Sequence, residues 1–141
     1  MDQPSLLSYE NTYRVNVGLW NNKNTTISAE LRGSRQISED PAYMNVGKGL
    51  SILSTYNPPA TAWVLDAALS FNEKQWRKRS GIFDNVRHDL EWIASAGIRN
   101  SNVSYFGFTP TLRYTYQNRK STVSLNTIQS HDLFFEISNA F

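Results

Sequence analysis

The residues best equipped to do chemistry in this chain are its two histidines. His88 and His131 are each followed by an aspartate, Asp89 and Asp132, and serines are plentiful. Such groups can build a nucleophilic triad, but only where nucleophile, base and orienting acid meet in space. In an extended strand neighbouring side chains point to opposite faces, so neither histidine can use the aspartate beside it. Two lone histidines are a thin basis for a metal site, and the chain has no cysteine to add. A second set is basic: Lys74 with Arg77-Lys78-Arg79 could meet anionic phosphates at a surface, but reads more readily as a solvated loop. A third set is spread over the whole chain: Glu30, Arg32, Asp66, Arg87, Asp89, Glu91, Arg113 and Glu136. The expectation is no enzyme, no metal and no cofactor, with the third set as the feature to explain.

The third set is explained by alternation. Seven segments switch between apolar and polar at every residue, the period of a strand with two unlike faces. They run at about Tyr9–Trp20, Thr25–Gln36, Tyr43–Tyr56, Thr61–Glu73, Val86–Arg99 and Tyr105–Gln117, and from after Gln129 to the end. The fourth is the clearest. Trp63, Leu65, Ala67, Leu69 and Phe71 alternate with Asp66, Ala68, Ser70 and Asn72. The last alternates Leu133, Phe135, Ile137, Asn139 and Phe141 with Asp132, Phe134, Glu136, Ser138 and Ala140. Asn21–Asn24, Asn57-Pro58-Pro59 and Ser38–Pro41 are turn or breaker sequences, because asparagine tolerates left-handed geometry and proline cannot donate to a ladder. Connections this short predict antiparallel hairpins, since a parallel crossover needs a dozen or more residues.

The strands are long for a globular sheet and match the roughly 9–11 residues of a tilted membrane strand. A strand that ends the chain on phenylalanine is also how bacterial outer-membrane barrels close. No stretch reaches the roughly 20 apolar residues of a membrane helix, but lipid-facing and lumen-facing residues average out in a barrel. Aromatic residues make up 13% of the chain, high for one so polar, and cluster near the expected strand ends. Trp20, Tyr56, Trp63, Tyr105, Phe106 and Phe141 fall at one end; Tyr9, Tyr13, Tyr43, Trp76, Tyr114 and Tyr116 fall near the other, as two interfacial girdles would. Connections after the first, third and fifth strands look short and the rest longer, which puts the carboxyl terminus on the periplasmic side. The charged set then faces the lumen. It either lines a path for a polypeptide or stiffens the wall with ion pairs. Lys48 sits on the apolar parity, where a midplane lysine costs about 2–4 kcal/mol, so it needs either an interfacial position or a bulge at Gly47 and Gly49. The net charge of +2 argues against nucleic acid as a partner. A soluble antiparallel β binding domain would show the same alternation, with one face as core.

The segment Gly107-Phe108-Thr109-Pro110-Thr111-Leu112-Arg113 resembles a strand of the surface lipoprotein assembly modifier family. Arg87-His88-Asp89 resembles the family's Arg-Arg-Asp, Ser121-Thr122-Val123 its Ser-Asn-Ile, and Asn139-Ala140-Phe141 its ending. The resemblance covers about residues 82–141, with His88 and Thr122 as departures. It implies an outer-membrane translocon with a periplasmic tetratricopeptide domain and a carboxy-terminal barrel of about fourteen strands, the even count of single-chain bacterial barrels. It also implies partners: outer-membrane lipid, the barrel assembly machinery, and a lipoprotein or secreted protein as substrate. Pro110 in mid-strand predicts a bulge or a locally unpaired edge, which Gly107 would help form.

The fold expected is therefore all-β: an antiparallel up-and-down meander of about seven strands, the carboxy-terminal half of a transmembrane barrel. An odd strand count and the absence of a signal-peptide pattern in the first residues predict that residues 1–141 are part of a longer protein. The remaining amino-terminal half of the barrel is then a partner too.

Overall fold

The structure, a computed structural model, describes residues 8–77, 86–103 and 108–139. These form one seven-stranded antiparallel sheet in which each strand pairs with its sequence neighbours. The strands are β1 (Ser8–Asn21), β2 (Thr25–Ser38), β3 (Asn45–Tyr56), β4 (Trp63–Trp76), β5 (His88–Asn100), β6 (Phe108–Ser121) and β7 (Ile128–Asn139). β1 and β7 are the two edges, and the sheet does not close on itself.

Local chemistry sets the turns. Between β1 and β2, Asn22 Oδ1 accepts the backbone N–H groups of Asn24 at 2.9 Å and Thr25 at 2.7 Å. Between β3 and β4 the Pro58 carbonyl accepts from the Thr61 hydroxyl at 3.0 Å, and Ala60 takes a left-handed φ of 58°. Between β2 and β3 Asp40 caps a 3-10 turn, Pro41–Tyr43, by accepting from the Ala42 N–H at 2.8 Å. Tyr43 therefore stands in this turn and not in the third strand. β4 and β6 run further than their alternation alone predicts. Asn118 to Ser121 read as loop by composition, yet each is paired to β5, from Trp92 back to Asp89. A ladder partner outweighs weak local propensity.

The connections 39–44, 77–87 and 122–127 share the upper end of the sheet; 22–24, 57–62 and 101–107 share the lower. The expected alternation of short and long connections is only partial. The longest is at the upper end and the shortest at the lower, but 39–44 is no longer than 57–62.

Register sorts the residues onto two faces. One row runs Val15, Leu31, Leu50, Phe71, Trp92; the next runs Val17, Ala29, Ile52, Leu69, Ala94, Tyr116. A β-bulge between Gly18 and Trp20 brings Trp20 opposite Ile27, onto this apolar face. The face is uncovered: Tyr13, Leu69, Phe135 and Ile137 are 70%, 47%, 69% and 65% exposed. Val123 is the one buried apolar residue among those described. A soluble two-layer sandwich would bury this face against a second sheet, and the seven strands supply no second sheet.

The polar face is the concave one. A cavity of about 460 Å³ is lined from Glu10 and Arg14 of β1 across to Arg119 of β6, so the sheet curls around its charged side.

Three expectations need correction or completion. Lys48 involves no bulge, because β3 holds continuous register with both neighbours. It stands directly opposite Glu73, and its Nζ lies 2.8 Å from that carboxylate. Pro110 involves no bulge against β7, where it opposes Ile137. On the β5 side the ladder stops at Thr111, so one flank of Pro110 is unpaired, where a missing N–H costs least. Trp76 does not join an aromatic girdle: it opposes Asn45 and lines the concave cavity. Trp20, Tyr56 and Trp63 do lie on the apolar face at the lower end, and Phe108, not expected in that girdle, joins them. Tyr105, Phe106, Gly107 and Phe141 lie outside the described residues.

Candidate functional site

All eight residues expected on the polar face share it: Glu30, Arg32, Asp66, Arg87, Asp89, Glu91, Arg113 and Glu136. Alternation alone puts them there, and register then gathers them into clusters.

The largest cluster centres on Glu91. Its Oε1 takes Arg119 Nε at 2.9 Å, Arg119 Nη2 at 2.8 Å and Gln117 Nε2 at 2.7 Å. Its Oε2 takes Asn72 Nδ2 at 3.4 Å. One carboxylate of β5 thus ties β4, β5 and β6 together across the concave surface. Just above it, Arg87 grips Asp89, donating Nε to both oxygens at 3.1 Å and Nη2 to Oδ2 at 2.6 Å. The same guanidinium lies 4.1 Å from the centre of the Trp76 ring, and Lys74 Nζ lies 5.4 Å from it. A planar guanidinium serves both carboxylate and ring at once.

The second cluster is lower and looser. Arg113 reaches Asp66 at 3.3 Å and Glu136 at 3.4 Å, while Arg99 lies 3.8 Å from Asp66. These are ion pairs by distance, and Asp66 Oδ1 and Arg113 Nε are buried without a hydrogen-bond partner. Asp66 and Arg113 stand on strands separated by β5, and the residue between them is Gly97. A Cβ there would lie 2.6 Å from Asp66 Oδ2, so this pair exists because position 97 has no side chain. Glu30 and Arg32 form a third pair at 2.6 Å along β2. Arg14 stands directly opposite Arg32 and has no ion-pair partner among the described residues.

Arg119, Gln117 and Gly97 belong to these clusters and were not singled out from sequence; Asn72 was read only as a polar position of the fourth strand, and Trp76 only as part of a girdle. Continuing the Thr109, Thr111, Arg113 parity to Gln117 and Arg119 would have found two of them. The role of Gly97 depends on register and had no local signal.

The motif segments prove to be neighbours. Asp89 opposes Ser121 across β5 and β6. The Thr122 hydroxyl donates to the Val86 carbonyl and accepts the His88 N–H, both at 2.9 Å. Of the remaining motif positions, Phe108 and Pro110 share the apolar face, and Thr109 is buried on the concave one.

Neither histidine engages its neighbouring aspartate. His88 Nε2 lies 3.0 Å from Glu73, and His131 Nδ1 lies 2.6 Å from the Tyr114 hydroxyl. Asp132 accepts from Ser130. Of the basic set, Lys74 faces the concave side, and Lys78 and Arg79 lie outside the described residues.

Residues 60–141, more than half of the chain, match the surface lipoprotein assembly modifier family. The chain belongs to the surface lipoprotein assembly modifier family. No curated protein and no solved structure gives a significant match. The matched segment contains β4 to β7 entire, and with them the Glu91, Asp66 and Arg87–Asp89 clusters. The family's name ties the protein to the assembly of surface lipoproteins.

Proposed function

We propose that this chain forms part of the wall of an outer-membrane β-barrel, and that the parent protein moves lipoproteins or secreted proteins from the periplasm to the cell surface. One observation carries the membrane reading. A single antiparallel sheet leaves its whole apolar face uncovered while curling around a concave face rich in paired charge. That is the inverse of a soluble protein, and it is how a barrel in lipid divides its residues. Outer-membrane lipid then covers the apolar face. The open edges β1 and β7 require further strands of the same barrel, because an unpaired edge in hydrocarbon leaves backbone donors and acceptors unsatisfied. The barrel assembly machinery would insert it.

The transport reading is supported by family membership and by the concave face. That face is rich in charge, as a path for a polypeptide requires, though Leu53, Ile93, Phe134 and Trp76 also stand on it, and no catalytic role enters the reading. The test is surface display in bacteria carrying or lacking the intact gene, with a surface lipoprotein measured by protease shaving of whole cells. Loss of display without the gene, restored by complementation, supports the reading. Equal display in both strains refutes transport and leaves a passive pore or structural barrel.

A further inference from the structure

The apolar face does not simply fade at its upper end; cations border it. One row there runs Tyr13, Gly33, Lys48, Glu73, Leu90, Lys120 across six strands. The next holds Asn11, Arg35, Val46, Gln75 and His88. Arg77, two residues beyond Gln75, continues the alternation past the end of β4 and lines the same recess as Arg35. These two rows contain one carboxylate, Glu73, which Lys48 at 2.8 Å and His88 at 3.0 Å already share. Arg35 and Arg77 are exposed and make no ion pair with any described residue. The recess between them, about 50 Å³, is walled by Ile37, Met44 and Val46.

We propose that this border binds the phosphate of an anionic lipid headgroup, with Arg35 and Arg77 as the phosphate ligands. This rests on the membrane reading given above. The guanidinium fork matches a phosphate with two parallel N–H donors. Lys120, at the far end of the row below, adds outlying positive charge, while Lys48 in that row is neutralised by Glu73. The acyl chains start on Val46, in the row of Arg35, and continue past the Lys48–Glu73 pair onto Leu50 and Phe71 on the same face. A free phosphate would use only the charges. An amphiphile uses both the charges and the apolar surface that begins beside them, and this favours a lipid as the source. Long cationic side chains at such a boundary keep their heads in the polar layer while their stems lie on the apolar one.

The test uses the full-length protein purified in detergent. It is titrated with diphosphoryl lipid A, with the same lipid dephosphorylated, and with inorganic phosphate, and binding is read by native mass spectrometry. The expected result is a preference of about tenfold or more for the phosphorylated lipid. Arg35→Gln with Arg77→Gln abolishes that preference, and Arg35→Lys with Arg77→Lys keeps part of it. A membrane-inserted double glutamine variant that retains the full preference overturns the inference alone. Inorganic phosphate binding as tightly as the lipid overturns it in favour of a free-anion site. Full-length protein that stays in the aqueous phase overturns the membrane reading, and this inference with it.

Discussion

Gly97→Ala adds one methyl group to the concave face, and its cost can be worked out from the surroundings. The new Cβ would lie 2.6, 2.8 and 2.9 Å from Asp66 Oδ2, Oδ1 and Cγ. The whole carboxylate must therefore move, and its short side chain has little freedom to do so. It moves away from Arg113 at 3.3 Å and Arg99 at 3.8 Å, its ion-pair partners. Overpacking of this kind costs about 1–3 kcal/mol, and loosening a part-buried ion pair of loose geometry adds about 0.2–1 kcal/mol. Against this, alanine is better than glycine in a strand interior by about 0.5–1 kcal/mol. The net expectation is a loss of about 1–2 kcal/mol. Gly33→Ala is the control, because nothing lies within 4 Å of its added Cβ. Only the backbone gain of up to about 1 kcal/mol applies there. The assay is urea unfolding of the full-length protein in detergent micelles, followed by tryptophan fluorescence and by loss of heat-modifiable gel migration. A double-mutant cycle isolates the mechanism: in an Asp66→Ala background, Gly97→Ala should become neutral or stabilising. A Gly97→Ala midpoint at or above that of wild type, or a penalty that persists without Asp66, would refute the reasoning.

Three further expectations follow from other parts of the sheet. Leu69 lies mid-face, so Leu69→Arg should cost about 2–4 kcal/mol of insertion and deplete the protein from the outer-membrane fraction, whereas Lys48→Leu at the border should not; equal recovery of Leu69→Arg and wild type would contradict lipid contact. Ala60→Gly should stabilise by about 0.5–1 kcal/mol and raise the urea midpoint, because a left-handed alanine costs about 1–2 kcal/mol and the freer unfolded chain of glycine cancels only part of that relief. Thr122→Val removes a hydroxyl that bonds both Val86 and His88, and should cost about 1–2 kcal/mol by the same unfolding assay, with faster amide exchange at His88.

One exception to alternation shows how far sequence reading reaches. Lys48 interrupts the apolar parity of its strand, and taken singly it suggested an interfacial position or a bulge; His88 also stands on the apolar parity of its own strand. In the sheet both meet Glu73, at 2.8 and 3.0 Å, on the strand between them. The sequence pattern had ended the fourth strand at that residue, so the shared partner went unrecognised. Trp76 was misplaced for a related reason. The extra length of β4 puts it on the concave parity, where Arg87 covers its ring. The paired carboxylate of Glu91 was legible as a polar-face residue, but Arg119 was not, because Asn118 to Ser121 look like loop until β5 pairs with them.

What the amino-acid sequence determined alone is everything with a short range. Period-2 alternation follows from one strand's geometry, so the number of strands, their two unlike faces and the placement of all eight charged residues were visible in it. Turn chemistry acts over three or four residues, so the hairpins were visible too. Only the tertiary structure decided which residues meet: Glu91 with Arg119, Asp66 with Arg113 over Gly97, Glu73 with Lys48 and His88, and Arg35 with Arg77 around one recess. Those contacts depend on register, a relation between segments distant in the chain, and a slip of one residue would reverse every face without changing the local pattern.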